Sequence, residues 1–108
     1  MTIRTLPLTT NRLYRGRRFL TAAGKTNKEA LAWEARTQWK GKPLAGAVAL
    51  EIHLWWPDAR RRDVDNIKGL LDAFSGVVYV DDSQIERLVV RKGIDRLNPR
   101  IEVTATAN

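Results

Sequence analysis

Strict alternation of apolar side chains between residues 46 and 56 is the feature that most constrains how this chain can fold. Five apolar residues recur at every second position, namely Val48, Leu50, Ile52, Leu54 and Trp56. Because successive side chains of a strand point to opposite faces, this period of two predicts a strand with one face on the hydrophobic core. Pro57 ends the pattern, since a proline cannot donate to a sheet ladder.

A helix is predicted upstream of this strand. Thr26 opens it, because the sequence TNKE forms a capping box. Leu31, Ala35 and Trp39 then follow at a spacing of four, which places them on one helix face. Gly41 ends the helix, as glycine commonly does just beyond a last helical turn.

The remaining periodic segments complete a mixed fold. Helical spacing returns in residues 66–75, and four further segments have the composition of strands: 2–7, 77–80, 85–92 and 99–106. The order is roughly β-α-β-α-β-β. Since strands and helices mix without a strict repeat, the 108 residues predict a single α+β domain, residues 1–108, with one mixed β-sheet and two main helices.

The charge balance favours a polyanionic partner. The chain has 19 Lys and Arg residues against 12 Asp and Glu residues, which gives a net charge of +7. Nucleic acids attract such proteins, because each neutralised phosphate releases a condensed counterion. A ribosome-like or merely soluble basic protein is the alternative.

Several function classes are excluded by what the sequence lacks. There is no cysteine, so disulfides, zinc–thiolate sites and cysteine nucleophiles are absent. No glycine-rich phosphate loop occurs, which argues against a nucleotide cofactor. No apolar run or signal-peptide pattern points to a membrane or to export, so we expect a cytoplasmic protein. The one histidine, His53, lies in the predicted strand and is interpreted as structural, with metal ligation as the alternative.

Two pairs of aspartates flank the second predicted helix. Asp63 and Asp65 precede it, and in an extended segment their side chains lie on one side, roughly 6.5–7 Å apart. Asp81 and Asp82 follow residues 77–80. Each pair has an ordinary explanation, because aspartate is common at helix starts and in turns. One cap suffices for one helix, however, so the second aspartate of the first pair favours a further role.

The spacing of these pairs allows them to form one metal site. A ten-residue helix spans about 15 Å and a returning strand over 77–80 covers about 13 Å, so Asp82 can return to the end where Asp63 and Asp65 lie. Oxygen ligands without His or Cys suit a hard cation, Mg²⁺ or Mn²⁺. Such an ion can activate water and stabilise charge on a phosphate. Lys68, one turn after Asp65, would face that phosphate or else lie in solvent.

Arginines next to the acidic residues would bring phosphate to this site. Arg60, Arg61 and Arg62 directly precede Asp63, and a cation can offset the repulsion between the aspartates and the phosphate. A second basic cluster occupies a predicted loop, residues 9–25, and comprises Arg12, Arg15, Arg17 and Arg18. Tyr14 and Phe19 lie among them, which suits phosphate contact with base stacking. A plain solvated loop is the alternative.

These motifs resemble those of the RusA family of Holliday junction resolvases. The resemblance runs in order through PLTTNRLYR (7–15), FLTAAGK (19–25) and RRRDVDNIKGLLDAFSGVVYVDDSQIERL (60–88). The last segment carries the specific pattern: a D-x-D-N element, a helix containing L-D-A, and an apolar strand that ends in D-D-S-Q.

The resemblance implies a homodimeric, Mg²⁺-dependent endonuclease that binds four-way DNA junctions and nicks two opposing strands symmetrically, in DNA recombination and repair. By motif match its essential carboxylates are Asp63, Asp65 and Asp82, with Asp81 beside them. The functional lysine of the family corresponds to Lys68, which stands three rather than four residues after Asp65. A further match is Asn11, in an entry segment shortened here to PLTTNR.

Dimerisation also has a reason independent of the resemblance. A four-way junction has approximate two-fold symmetry, and two nicks need two sites, so an isologous dimer of one-site domains fits the substrate. The chain has four tryptophans, some of which we expect between subunits: Trp33, Trp39, Trp55 and Trp56.

Three other functions remain as alternatives. The first is a non-catalytic, basic nucleic-acid-binding module whose aspartates only cap helices and turns. The second is a nuclease that acts on other branched DNA, such as flaps or forks. The third is a nuclease of the restriction-enzyme type, which needs a lysine two residues after a carboxylate, and no strand after Asp58 offers one.

Overall fold

A computed structural model describes residues 1–7, 14–15, 19–20, 22–62 and 67–108 of the chain. The elements in chain order are β1 (Thr2–Ile3), β2 (Tyr14–Arg15), β3 (Phe19–Leu20), α1 (Ala22–Gln38), β4 (Val48–Trp56), α2 (Lys68–Phe74), a 3-10 turn (Asp82–Gln84), β5 (Ile85–Ile94) and β6 (Arg100–Ala107). None of the helices in these ranges is long and apolar enough to cross a bilayer.

The main sheet has four strands in the order β1-β6-β4-β5. Strand β4 is parallel to β5 and antiparallel to β6, and β1 is antiparallel to β6, so the sheet is mixed. Strands β2 and β3 form a separate antiparallel pair. The predicted α+β class, with two main helices and a mixed sheet, is confirmed.

The core lies between one face of β4 and the two helices. All five alternating residues of β4 are buried, as their period of two predicts. Leu31 and Ala35 of α1, with Leu70 and Phe74 of α2, are buried in the same cluster. The opposite face of β4 carries His53 and Trp55 and is more accessible, since both are only partly buried.

The predicted start of α1 at Thr26 is wrong. The helix begins at Ala22, and Thr26 lies within it, where its hydroxyl donates to the Ala22 carbonyl oxygen at 3.2 Å. Alanine is the best helix former, so the Ala-rich stretch upstream extends the helix. Inside a helix a threonine bonds the carbonyl four residues back instead of capping.

The predicted strand over residues 77–80 is also wrong. Gly76 has φ of +84°, a left-handed conformation, and its N–H donates to the Tyr79 carbonyl oxygen at 2.7 Å. This tight turn is incompatible with an extended segment. The residues are apolar because Val78 and Tyr79 fill the core with no accessible surface.

Other boundaries shift without changing the fold. The first strand covers Thr2–Ile3 instead of 2–7, and α2 covers Lys68–Phe74 instead of 66–75. The described parts of the predicted loop 9–25 form β2, β3 and the first turn of α1. The strands predicted over 85–92 and 99–106 are confirmed as β5 and β6.

Candidate functional site

Several predicted site residues lie outside the described residues. These are Asp63, Asp65, Asn11, Arg12, Arg17 and Arg18. Arg15 pairs with Phe19 through the backbone of β2 and β3, while the side chains of this pair are not described. The metal site at Asp63 and Asp65 therefore stays a prediction.

Asp81 caps the 3-10 turn that leads into β5. Its carboxylate accepts a hydrogen bond from the backbone N–H of Ser83 at 3.1 Å, and the Gln84 side chain accepts one from the N–H of Asp81 at 2.8 Å. The hydrogen bonds from Ser83 lower the pKa of the Asp81 carboxyl. The side-chain amide of Gln84 also donates to the carbonyl oxygens of Leu44 and Gly46. The turn is thus tied to the segment before β4.

Asp82 is the first residue of this turn and is exposed. Its carboxylate lies near the buried hydroxyl of Tyr79, and that hydroxyl donates a hydrogen bond to the Leu71 carbonyl oxygen at 2.7 Å. Burial raises the pKa of Tyr79, and the negative charges of Asp82, Asp72 and Asp81 raise it further. Asp72 therefore lies in the same acidic region beside α2, and the Tyr79 hydroxyl is buried next to it. Sequence reasoning selected neither residue for a site.

Within the described part of the chain, no group of three metal-binding side chains is close enough to hold an ion. The predicted partners of Asp82, Asp63 and Asp65, lie outside these ranges. The donor chemistry of Asp82 fits a hard cation, because carboxylate oxygens are among the ligands that Mg²⁺ takes in proteins. Lys68 is exposed at the first position of α2, directly after the segment that contains Asp65.

The three consecutive arginines that follow β4 differ in their contacts and in their exposure. The guanidinium of Arg62 lies 4.3 Å from the ring centroid of Trp56 and donates to the Asp58 carboxylate at 2.8 Å, so only 19% of its side chain is exposed. These contacts lower the pKa of Asp58, chiefly through the hydrogen bond from Arg62. Arg60 is 82% exposed and Arg61 is also exposed. Arg62 fixes this segment, while its two neighbours face solvent.

At the same end of the sheet, but on its opposite face, another arginine contacts both a tryptophan and a carboxylate. The Arg100 guanidinium lies 5.1 Å from the Trp55 ring centroid and donates to Asp95 at 2.8 Å. The indole N–H of Trp55 donates to Glu102 at 2.6 Å. His53 stacks on Trp55 with ring centroids 4.0 Å apart. These contacts agree with the structural interpretation of His53.

His53 differs from a core histidine in which both ring nitrogens are hydrogen-bonded. Its Nε2 atom is buried and, among the described residues, has no hydrogen-bond partner. It lies close to Gly93, where an added Cβ would be 3.3 Å away.

The four tryptophans differ in their environment. Trp39 packs against the core, Trp56 is buried in it, and Trp55 is covered by its contacts with His53 and Arg100. Trp33 is 66% exposed on α1. It is therefore the most exposed of the four tryptophans.

Comparisons with known proteins identify one family. A family model described as endodeoxyribonuclease RusA matches residues 7–106. A crossover junction endodeoxyribonuclease RusA of Escherichia coli (strain K12) is 32% identical over 105 residues, which cover 93% of this chain and 88% of that protein. The protein of that name from Enterobacteria phage 82 matches to the same extent, with 32% identity over 105 residues.

A relative from Aquifex aeolicus (strain VF5), also called crossover junction endodeoxyribonuclease RusA, is more similar over a shorter range. It is 39% identical over 71 residues, which cover 62% of this chain. The match spans 56% of the Aquifex protein, little more than half of its length.

Proposed function

Because the chain belongs to the RusA family of endodeoxyribonucleases, we propose that it is a metal-dependent nuclease that resolves four-way DNA junctions. The observation that carries this proposal is the family match over residues 7–106. The names of the relatives from Escherichia coli and phage 82 state a crossover junction substrate. A net charge of +7 supports a DNA partner, and the proposal includes a cytoplasmic location, where such DNA lies.

In this proposal Asp63, Asp65 and Asp82 hold Mg²⁺, for which Mn²⁺ can substitute. The bound cation supplies activation of water and stabilisation of charge on the scissile phosphate. Asp82 contributes an exposed carboxylate, and Asp81 holds the turn that carries it through the bond to Ser83. Lys68, at the exposed start of α2, offers positive charge to the phosphate oxygens.

The exposed arginines provide the contact with the DNA backbone. Arg60 and Arg61 face solvent next to the segment that contains Asp63, and Arg62 holds that segment against Trp56. Arginine binds phosphate with a planar set of donors, which positions the strand without reading its sequence. Asn11 and the arginines at positions 12, 15, 17 and 18 belong to the same proposed DNA contact.

We propose that two copies of the chain act together. Paired symmetric nicks need two sites related by a two-fold axis, and each chain supplies one set of the predicted carboxylates. Trp33, with 66% of its surface exposed on α1, is the proposed contact between subunits. Tryptophan is enriched in such interfaces because a large apolar area is buried there.

A second candidate is a DNA-binding module without catalysis. The capping role of Asp81 favours it, since that residue has a structural function whether or not a cation binds. The two candidates differ in one property: a nuclease needs a divalent cation to cut, whereas a binding module leaves the DNA intact in all conditions.

Cleavage of a synthetic mobile four-way junction tests the proposal. The wild-type chain is incubated with the junction, with and without Mg²⁺, and the cuts on all four strands are mapped. We expect paired, ligatable nicks only with the cation. Asp82→Asn should bind the junction and leave it uncut, while Glu86→Gln, another exposed carboxylate in the same region, should cut normally.

Each contrary result has a distinct meaning. Normal cleavage by Asp82→Asn contradicts the site assignment. Binding without cleavage by the wild-type chain, in Mg²⁺ and in Mn²⁺, favours the binding module. Cuts on linear duplex as efficient as those on junctions contradict the proposed substrate.

A further inference from the structure

The turn between β5 and β6 presents an apolar side chain to solvent. Leu97 is 97% exposed, which is more than any other large hydrophobic residue in the described ranges. The side chains that neighbour it in sequence are Arg96 and Asn98, both exposed. A single exposed leucine needs no special explanation in general, but Leu97 differs in how its turn is built and in where that turn lies.

The turn is held by hydrogen bonds on both sides of Leu97. The Asp95 carboxylate accepts the N–H groups of Leu97 at 3.3 Å and of Asn98 at 3.1 Å. Arg100 bonds the same carboxylate at 2.8 Å and the Asn98 carbonyl oxygen at 2.8 Å. Arg4 donates to the Asn98 side chain. Because the backbone is fixed in this way, Leu97 projects from an ordered turn.

This turn lies at the end of the sheet from which the chain continues to Arg60, Arg61 and Arg62. The N–H of Asp95 donates to the Trp56 carbonyl oxygen at 2.8 Å, and Trp56 is the last residue of β4. The chain then continues through Asp58 to Arg60 and Arg61, and onward to Asp63. The turn that carries Leu97 is thus joined through the Asp95 N–H to the strand end from which the chain continues to the arginines.

The charges around Leu97 favour a nucleic acid. Arg60, Arg61 and Arg96 are exposed at or next to this end of the sheet. The nearby carboxylates each contact an arginine, since Asp58 is paired with Arg62, and Asp95 and Glu102 share Arg100. A protein partner would instead require a wider apolar patch, with few charges at its centre.

We propose that Leu97 is an apolar wedge that contacts exposed base faces at the branch point of a four-way junction. The proposal rests on the proposed function. Base pairs next to a crossover lack one continuous stacking neighbour, so an apolar side chain can be inserted there at lower cost than within a duplex. The arginines would hold the flanking phosphates, and Leu97 would distinguish a branch point from a linear duplex.

The test compares junction binding with duplex binding, without a divalent cation so that no cutting occurs. Dissociation constants are measured for a junction and for a linear duplex that carries the same sequence. The junction has 2-aminopurine next to the crossover, whose fluorescence rises when the base is unstacked. The variants are Leu97→Ala, Leu97→Met and the control Leu88→Ala, which removes the same atoms from a leucine that is 42% exposed on β5.

We expect Leu97→Ala to bind the junction about tenfold more weakly, with unchanged duplex affinity and without the rise in fluorescence. Leu97→Met should retain both properties, and Leu88→Ala should match the wild type. Equal loss for junction and duplex, or no loss at all, overturns the proposal. A change in subunit association on size-exclusion chromatography for Leu97→Ala also overturns it, because Leu97 is then a protein contact.

Failure of the wedge and failure of the proposed function remain distinguishable. If the wild-type chain prefers junctions and Leu97→Ala retains that preference, only the wedge is wrong. If the wild-type chain binds junctions no better than duplex, the junction substrate is wrong and the wedge falls with it. Melting temperatures of all variants establish that each is folded.

Discussion

The Arg62 guanidinium lies 4.3 Å from the ring centroid of Trp56, the last residue of β4. The same guanidinium donates to Asp58 at 2.8 Å, and Lys92 of β5 donates to the Arg62 carbonyl oxygen. The residue directly before Asp63 is therefore held by three side chains. This arrangement separates the arginines by role: Arg62 positions the segment, and Arg60 and Arg61 are exposed to a ligand.

Substitution of these arginines should separate stability from binding. Arg62→Ala removes the cation–π contact and the bond to Asp58, and we expect the free energy of unfolding to fall by about 1 kcal/mol. Arg61→Ala should leave stability unchanged and weaken DNA binding, with a smaller dependence of affinity on salt. Urea unfolding and salt-dependent DNA titrations measure the two effects. Equal stability losses in both variants would contradict this division.

Acid should destabilise the fold through the paired aspartates. Hydrogen bonds from Arg100 lower the pKa of Asp95, and those from Arg62 lower the pKa of Asp58. A carboxyl whose pKa is lower in the folded state stabilises the fold at pH values above its unfolded pKa of 3.8. This stabilisation is lost as the pH falls through the folded pKa. Asp95→Asn should thus be less stable than wild type at pH about 7, and the difference should narrow below pH about 4. Urea unfolding across this range checks both points.

The sequence predicts elements well where one periodic pattern has one physical cause. The apolar residues of β4 alternate because that strand lies inside the sheet with one face on the core, and the structure confirms the pattern at every position. The predicted helix face is confirmed at Leu31 and Ala35, which are both buried, whereas Trp39 lies just beyond the end of α1 and packs against the core. Residues 77–80 mislead, because apolar residues that fill a core turn have the same composition as a strand.

Capping signals show the limit of local patterns. TNKE at position 26 lies inside α1, whereas DDSQ at position 81 forms a real capping box. The two sequences have the same spacing, and they differ in what precedes them. Alanines before Thr26 continue a helix, while the extended backbone of Asp81, at φ of −149°, begins one. The contacts of Arg62 and Arg100 join distant segments, which no local pattern reveals.

The hydroxyl of Tyr79 should stabilise the fold through its hydrogen bond. Tyr79→Phe leaves the Leu71 carbonyl oxygen without its partner, and we expect a loss of about 1–2 kcal/mol in the free energy of unfolding. The raised pKa of Tyr79 adds an alkaline effect, because stability is lost as pH rises above the unfolded pKa of about 10. The variant should lack this alkaline loss. The free energy of unfolding of the wild type and of Tyr79→Phe is measured at neutral and at alkaline pH. An equal alkaline loss of stability in both proteins would contradict this role of the Tyr79 hydroxyl.

Gly93 should be required for the stacked pair on the exposed sheet face. An added Cβ would lie 2.8 Å from Cζ3 of Trp55, so the ring, stacked on His53, would have to move. We expect Gly93→Ala to cost about 1–3 kcal/mol. In a Trp55→Leu background the cost should be smaller, because the smaller side chain leaves room. A double-mutant cycle by urea unfolding measures this coupling, and additive losses would exclude a direct clash.

Two substitutions of Asp81 should separate its capping role from metal binding. Asparagine is an equally good cap, since its side-chain oxygen can accept the same N–H of Ser83. We therefore expect Asp81→Asn to keep its melting temperature and to cut junctions nearly as well as wild type. Asp81→Ala removes the cap, so its melting temperature should fall, and cleavage should fall with it because the turn also carries Asp82. Calorimetry and junction cleavage at several Mg²⁺ concentrations give both readings. If Asp81→Asn is stable but cuts only at much higher Mg²⁺, the charge of Asp81 contributes to cation binding, and Asp81 belongs with Asp63, Asp65 and Asp82 as a ligand.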